Sequence, residues 1–267
     1  MKACGLSVSY LPNRRTFDRR LKTIYTDIKE RISTMGNLFV FKDLARPRVV
    51  ATDTALLKSN GYVWHKSSMK AGIVPRSGID TDARWGRSRT KGWIFGYKLH
   101  MISSTDPLSS VVPLSADVTP ANISDKPAYP DTVSSLLPET LERIHYMVAD
   151  SGFDSQKLYD FSLRKQFQLV CPVKRYKKTK EERLKLAGFY ESARGQVIYS
   201  KRKISIEPLI EHIKSVFRID PVPVKGLDKV RGIVLLSVLL YQITAYYNYK
   251  VLKRDNPRRD IKYMIGC

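Results

Sequence analysis

The sequence predicts an α/β fold, a mixed sheet with helices on both faces. Two compact β runs, residues 49–52 and 146–149, are rich in Val, Ala and Met, and each stops on a carboxylate, Asp53 and Asp150. Between and after them lie stretches with apolar residues at helical spacing. The chain has 267 residues and 43% hydrophobic content, enough for one good-sized core and too apolar for a disordered chain.

Taken in order, residues 1–45 read as helical. Asn13 or Thr16 caps a helix through Phe17, Leu21, Ile24, Ile28 and Ile32, with Arg14, Arg15, Arg19, Arg20 and Lys22 crowding its start. Those cations are either a solvated face or a contact with DNA phosphates. Arg46-Pro47-Arg48 breaks the helix, and the strand ending on Asp53 follows. Residues 59–95 carry little regular pattern; they interleave Trp64, Trp85 and Trp93 with basic side chains, as nucleic-acid contact would need. The tryptophans can equally pin the loop to the core.

Residues 96–103 and 110–114 predict an antiparallel hairpin turned at Thr105-Asp106-Pro107, with His100 as a structural residue. A helix is expected over 129–137, then the strand ending on Asp150, a helix over 155–165 and a strand over 168–173 in which Cys171 is a small apolar residue. Residues 174–203 form a basic insertion that includes Lys174, Arg175, Lys177, Lys178, Arg202 and Lys203. A helix over 204–218 is expected to be capped by Ser205, with Pro208 in its first turn. Ile206, Leu209, Ile210, Ile213 and Phe217 make its buried stripe, and Glu207 falls where the helix dipole favours an ionised acid. The apolar run over residues 230–247 is interrupted by Arg231 and Gln242 and reads as a core helix rather than a membrane span. Residues 251–267 form a basic tail.

Charge narrows the function. There are 47 Lys+Arg against 25 Asp+Glu, a net charge of +22, which suits a polyanionic partner and disfavours a small-molecule enzyme. Cys4, Cys171 and Cys267 make neither a disulfide framework nor a Cys/His zinc pattern, and a reducing, cytoplasmic setting is expected.

The element order is a helical start, a strand with Asp53, a hairpin, a helix, a strand with Asp150, a helix, a strand, an insertion and a helix with Glu207. This is the order of a ribonuclease H-like fold with a mixed five-stranded sheet, in which acids from the first strand, the fourth strand and a late helix meet at one edge. In-line phosphodiester cleavage needs an activated attacking oxygen and a stabilised leaving oxygen, and two Mg²⁺ ions about 3.5–4 Å apart can serve both. Three carboxylates without a Cys/His cluster match Mg²⁺ rather than zinc.

Five stretches, in order, resemble the DDE transposases of bacterial and archaeal insertion sequences: Val49-Val50-Ala51-Thr52-Asp53-Thr54, residues 79–86, residues 96–100, Val148-Ala149-Asp150-Ser151-Gly152-Phe153 and the Glu207 helix. The resemblance covers residues 46–250, with 1–45 as a DNA-contacting region. It implies Asp53, Asp150 and Glu207 as catalytic metal ligands, with Glu211 the rival for the third place. Around Glu207 the family's Tyr-Arg-Glu-Lys signature is imperfect. Lys203 and Lys214 keep the spacing on either side of Glu207, with Lys replacing Arg. Tyr199 is one residue too far from Lys203, and Arg202 keeps the spacing to Tyr199 but not to Glu207. The implied DNA-contacting residues are Lys203, Lys214, Tyr199 and Arg202, beside the insertion cations Lys174, Arg175, Lys177 and Lys178. Asp80 and Asp82 are expected to orient Arg84 or their loop. The resemblance further implies Mg²⁺, with Mn²⁺ as substitute, terminal inverted repeats and target DNA as partners, a homodimer when two ends are paired, no membrane, and a nucleoid-associated location. The mechanism implied is hydrolysis at the element's ends, then attack of the freed 3′-hydroxyl on target DNA. A nuclease of the same fold and a catalytically inactive DNA-binding copy are the alternatives.

Overall fold

The computed structural model describes residues 13–73, 78–88, 91–106, 110–174, 181–254 and 261. Arg175, Lys177, Lys178, Cys4 and Cys267 lie outside these residues. Among its described residues the N-terminal region holds two helices where one was expected, α1 (Arg14–Leu21) and α2 (Tyr25–Phe41). Asn13 caps α1 by accepting from the Arg15 N–H at 3.0 Å. Ile28, Ile32, Phe39 and Val40 of α2 are buried in the same core as the sheet, so the apolar period read from the sequence marks a core-facing helix.

Among the described residues the sheet has six strands: β1 (Val49–Lys58), β2 (Arg84–Ser88), β3 (Gly92–Ser104), β4 (Pro113–Pro120), β5 (Tyr146–Val148) and β6 (Gln168–Val170). Its path is β2-β3-β1-β5-β6, with β4 also paired to β3. β1 already occupies one edge of β3, from Gly96 to Ser104. β2 pairs residues 92–96 and β4 pairs residues 97–103, so these two strands share the other edge end to end. The sheet is thus five positions wide, as expected, with a sixth strand added where residues 59–95 showed no pattern. β2 escaped notice because Arg84, Gly86 and Arg87 break any apolar alternation in so short a strand. A short helix, α3 (Lys66–Lys70), precedes it.

β1, β5 and β6 run parallel, while β3 is antiparallel to β1. Helices α4 (Asp125–Ser134), α5 (Pro138–Leu141) and α6 (Gln156–Arg164) follow the strands in the ribonuclease H-like order, and α7 (Glu181–Glu191) fills part of the basic insertion. Helix α8 (Ala193–Phe217) packs on β1, β3 and β5. It begins eleven residues before the expected start, capped by Ser192, whose Oγ accepts from the Gly195 N–H at 3.1 Å. Pro208 therefore sits inside the helix and not in its first turn. An interior proline costs about 3 kcal/mol; burial of Ile206, Leu209, Ile210 and Ile213 against the sheet offsets that loss.

The last helix, α9 (Leu227–Lys250), is long and apolar enough to cross a membrane, yet it packs on α2 and β4. Its buried Gln242 donates to the Ile32 and Pro113 carbonyls, both at 2.9 Å, which joins three elements of one core.

Candidate active site

Register brings the first two acids together. Val49, Val50 and Ala51 of β1 pair with Tyr146, Met147 and Val148 of β5, a constant offset of 97 positions. Extending that register by two residues on each strand sets Asp53 beside Asp150. Asp53 is not the end of its strand. β1 continues to Lys58 because β3 goes on pairing with it, and only the parallel neighbour stops. Asp53 thus stands where one side of β1 opens into a cleft.

Asp150 follows β5 and caps the 3₁₀ turn Ser151–Phe153; its Oδ1 accepts from the Gly152 N–H at 2.8 Å. A Cβ on Gly152 would stand 2.8 Å from that carboxylate oxygen and 3.4 Å from Asp125 Oδ2, so a side chain there would crowd both acids.

Glu207 comes from the middle of α8, not from a helix N-terminus, so the dipole does not stabilise it. Asp53, Asp150, Glu207 and Glu211 line one cleft of about 380 Å³, with Arg87, Lys91, Lys98, Asp125 and Lys214. Arg87 and Lys91 belong to the basic side chains of residues 59–95 that the sequence offered for nucleic-acid contact. Sequence reasoning gave no site role to Asp125 or Lys98; the signal for Asp125 was an acid in the first turn of α4. Lys98 Nζ pairs with Asp125 at 2.8 Å.

One side chain ties the acids together. Arg202 Nη2 donates to Asp53 Oδ2 at 2.7 Å, and Arg202 Nη1 donates to Glu207 Oε1 at 2.8 Å. Asp53 Oδ1 accepts from the Thr54 N–H at 2.8 Å. Burial pushes the Asp53 carboxyl up to about 6, against the pull of the Arg202 guanidinium and the Thr54 N–H, and the Asp150 charge adds to the rise. Glu211 pairs instead with Lys214 at 3.2 Å. Arg202 therefore joins Glu207, and not Glu211, to the Asp53 side of the cleft.

The other sequence candidates are held differently. Lys203 is exposed and Lys174 is exposed. Lys214 is buried, with its charge engaged by Glu211 and by Asp220 at 3.0 Å. Tyr199 packs edge-on against Tyr190, ring centres 5.0 Å apart, and burial raises its pKa. His100 is buried with its Nε2 2.9 Å from Thr119 Oγ1, a structural residue whose pKa burial holds well below the usual range.

Asp80 and Asp82 hold their loop, as expected. Asp80 accepts from the Tyr97 hydroxyl at 2.7 Å and from the Asp82 and Gly226 N–H groups at 3.1 and 3.2 Å, and Asp82 accepts from Leu227 N–H at 2.9 Å. They clasp the start of α9. Arg84 donates to the Thr81 and Ala83 carbonyls, not to these acids. Trp85 donates to the Trp64 carbonyl at 2.8 Å and packs on Phe95, whereas Trp93 is exposed under Lys66.

The Transposase DDE domain family matches residues 49–243, well over half of the sequence. The chain belongs to this family. No curated protein matches it significantly. Among solved structures, it is similar to a Mos1 transposase paired-end complex with left transposon end, at 13% identity and a TM-score of 0.27 over 90% of this chain. A Mos1 mariner paired end complex with Mn, at 12% identity and the same TM-score, and a pre-cleavage Mos1 transpososome, at 11%, are similar too. The chain spans 64% of the length of the first two of these proteins.

The chemistry of the donor set suits a hard divalent cation, since every candidate ligand is a carboxylate oxygen. The arrangement does not fit one as it stands. The guanidinium of Arg202 lies between Asp53 and Glu207, and among the described residues no three His, Cys, Asp or Glu side chains stand together as a metal-binding group.

Proposed function

We propose that this chain is the catalytic unit of a DNA transposase, with Asp53, Asp150 and Glu207 as its catalytic acids. The reaction begins with hydrolysis of a phosphodiester at each end of a mobile element. Water adds to phosphorus, the P–O3′ bond breaks, and a 3′-hydroxyl and a 5′-phosphate result. In the second step the 3′-hydroxyl displaces a target-strand 3′-oxygen from phosphorus. One phosphodiester forms as another breaks, so no covalent protein–DNA intermediate is required.

The observation that carries this reading is the shared cleft. Three acids far apart in sequence reach one opening, and cations flank it. Membership of the Transposase DDE domain family supports it, as does the net charge of +22. Arg87 and Lys91, which line the cleft, and the exposed Lys174 and Lys203 are the cations proposed to contact the DNA backbone. Arg175, Lys177 and Lys178 extend that basic set in sequence, and Tyr199, Lys214 and Arg202 complete the proposed contacts to the element's end. The proposed cofactor is Mg²⁺, with Mn²⁺ as substitute; Asp53, Asp150 and Glu207 would hold it, and it would activate the attacking oxygen and stabilise the leaving one. Two protomers acting on paired ends form a dimer.

Mg²⁺-dependent nicking of duplexes carrying the element's own ends tests the proposal, with wild type beside Asp150→Ala. The expected result is nicking by wild type only, equal DNA binding by both, and a joined product when target DNA is added. Hydrolysis without joining would identify a nuclease. Salt-sensitive binding with no cutting by wild type would identify a DNA-binding protein without catalysis.

A further inference from the structure

We infer that Arg202 is a positioning residue that occupies the cation's place between Asp53 and Glu207, and that a DNA phosphate must draw it off before a divalent ion can enter. The inference rests on the reading of these acids as metal ligands.

The geometry makes the two cations mutually exclusive. Asp53 Oδ1 accepts from the Thr54 N–H, and Arg202 Nη2 holds Oδ2, the oxygen that faces α8, at 2.7 Å. The second prong of the same guanidinium holds Glu207 at 2.8 Å. A divalent ion on these oxygens would meet the guanidinium at contact distance, with like charges repelling in a poorly solvated site.

The arginine is also incompletely satisfied. Its side chain is 13% exposed, and among the described residues its buried Nε–H has no hydrogen-bond partner, which leaves a donor for a phosphate oxygen. A phosphate offers oxygens that match the guanidinium fork and can accept two parallel bonds from it. The way out is short. Glu207 is 45% exposed and opens on the cleft, where Arg87 and Lys91 would bring a phosphate.

Arg202 thereby links the two ligands. A phosphate that takes the guanidinium frees the acids, and an ion that takes the acids frees the guanidinium. Each ligand then raises affinity for the other by the same factor. DNA and metal load together, and the acids stay neutralised while no DNA is present.

The test uses the full chain, stripped of metal, with a short mixed-sequence duplex at low salt. Fluorescence anisotropy reads DNA affinity with and without Mn²⁺, and electron paramagnetic resonance of free Mn²⁺ reads metal affinity without DNA. For wild type, Mn²⁺ is expected to tighten DNA binding about tenfold, within the usual range of coupling. Screening alone would weaken a phosphate-driven complex. Arg202→Gln is expected to bind Mn²⁺ about tenfold tighter than wild type without DNA, and to lose the tightening of DNA binding by Mn²⁺. Equal Mn²⁺ affinity of the two proteins, or wild-type DNA binding that Mn²⁺ leaves unchanged or weakens, overturns the inference. If the variant does not fold, as circular dichroism would show, the wild-type linkage decides alone. Nicking that persists while the linkage is absent sinks this inference and spares the proposed function. No Mn²⁺ binding with or without DNA sinks the metal-site reading and this inference together.

Discussion

Asp53 and Asp80 are two largely buried acids beside one sheet, held in opposite ways. Asp80 is 2% exposed and accepts three hydrogen bonds from neutral donors, two of them backbone N–H groups and one the Tyr97 hydroxyl. Asp53 has one backbone donor and one prong of an arginine shared with a second acid. Fixed neutral donors satisfy a carboxylate for good; a long cationic side chain can let go. The family-like stretch at residues 79–86 therefore builds the scaffold, and Asp53 lines the cleft of the proposed catalytic acids.

The largest expected effect is catalytic. Asp53→Asn or Asp150→Ala should lower the nicking rate by about a thousandfold or more, the scale of losing a principal electrostatic group, in protein that circular dichroism shows to be folded. A rate within tenfold of wild type would break the comparison. Next comes stability. Asp80→Ala strands the Tyr97 hydroxyl and two N–H groups, and urea unfolding should show a loss of about 3 kcal/mol, with normal nicking by the protein that remains folded.

A pH effect of similar size belongs to Asp53. The Asp53 carboxyl sits near 6 in the folded chain and near 3.8 as a free side chain. Between those values the folded state binds more protons than the unfolded state, so this group's contribution is complete below about pH 4 and declines as pH rises to about 6. The loss is about 2–3 kcal/mol. Asp53→Asn should flatten that part of the stability–pH curve, measured in a chelator. His100 works the other way. Its lowered pKa gives stability that is present above the ordinary histidine range and lost as pH falls through the folded value. The smallest effect belongs to Lys185, which faces Glu181 at 3.8 Å with both side chains exposed. Lys185→Ala should change neither unfolding nor nicking measurably.

Part of this was legible in the sequence. The element order suggested that the strands carrying Asp53 and Asp150 bring their acids together, and the apolar stripe of α8 was read correctly from Ile206 to Ile213. What stayed hidden has particular causes. Pro208 looked like a helix start, because propensity argues against an interior proline and cannot weigh the burial that keeps α8 intact. β1 looked finished at Asp53, because its last half is paired only through β3. Arg202 looked like a misplaced signature residue. Its role depends on where a long side chain points across the gap from α8 to β1, and no spacing rule reports that.

The most direct measurement is the Mg²⁺-dependent nicking rate per folded molecule for Asp53→Asn and Asp80→Asn beside wild type, on a duplex carrying the element's ends. The account predicts a folded, inactive Asp53→Asn and a less stable Asp80→Asn that nicks at the wild-type rate below its melting temperature. An Asp53→Asn that still nicks, or a folded Asp80→Asn that does not, would contradict it.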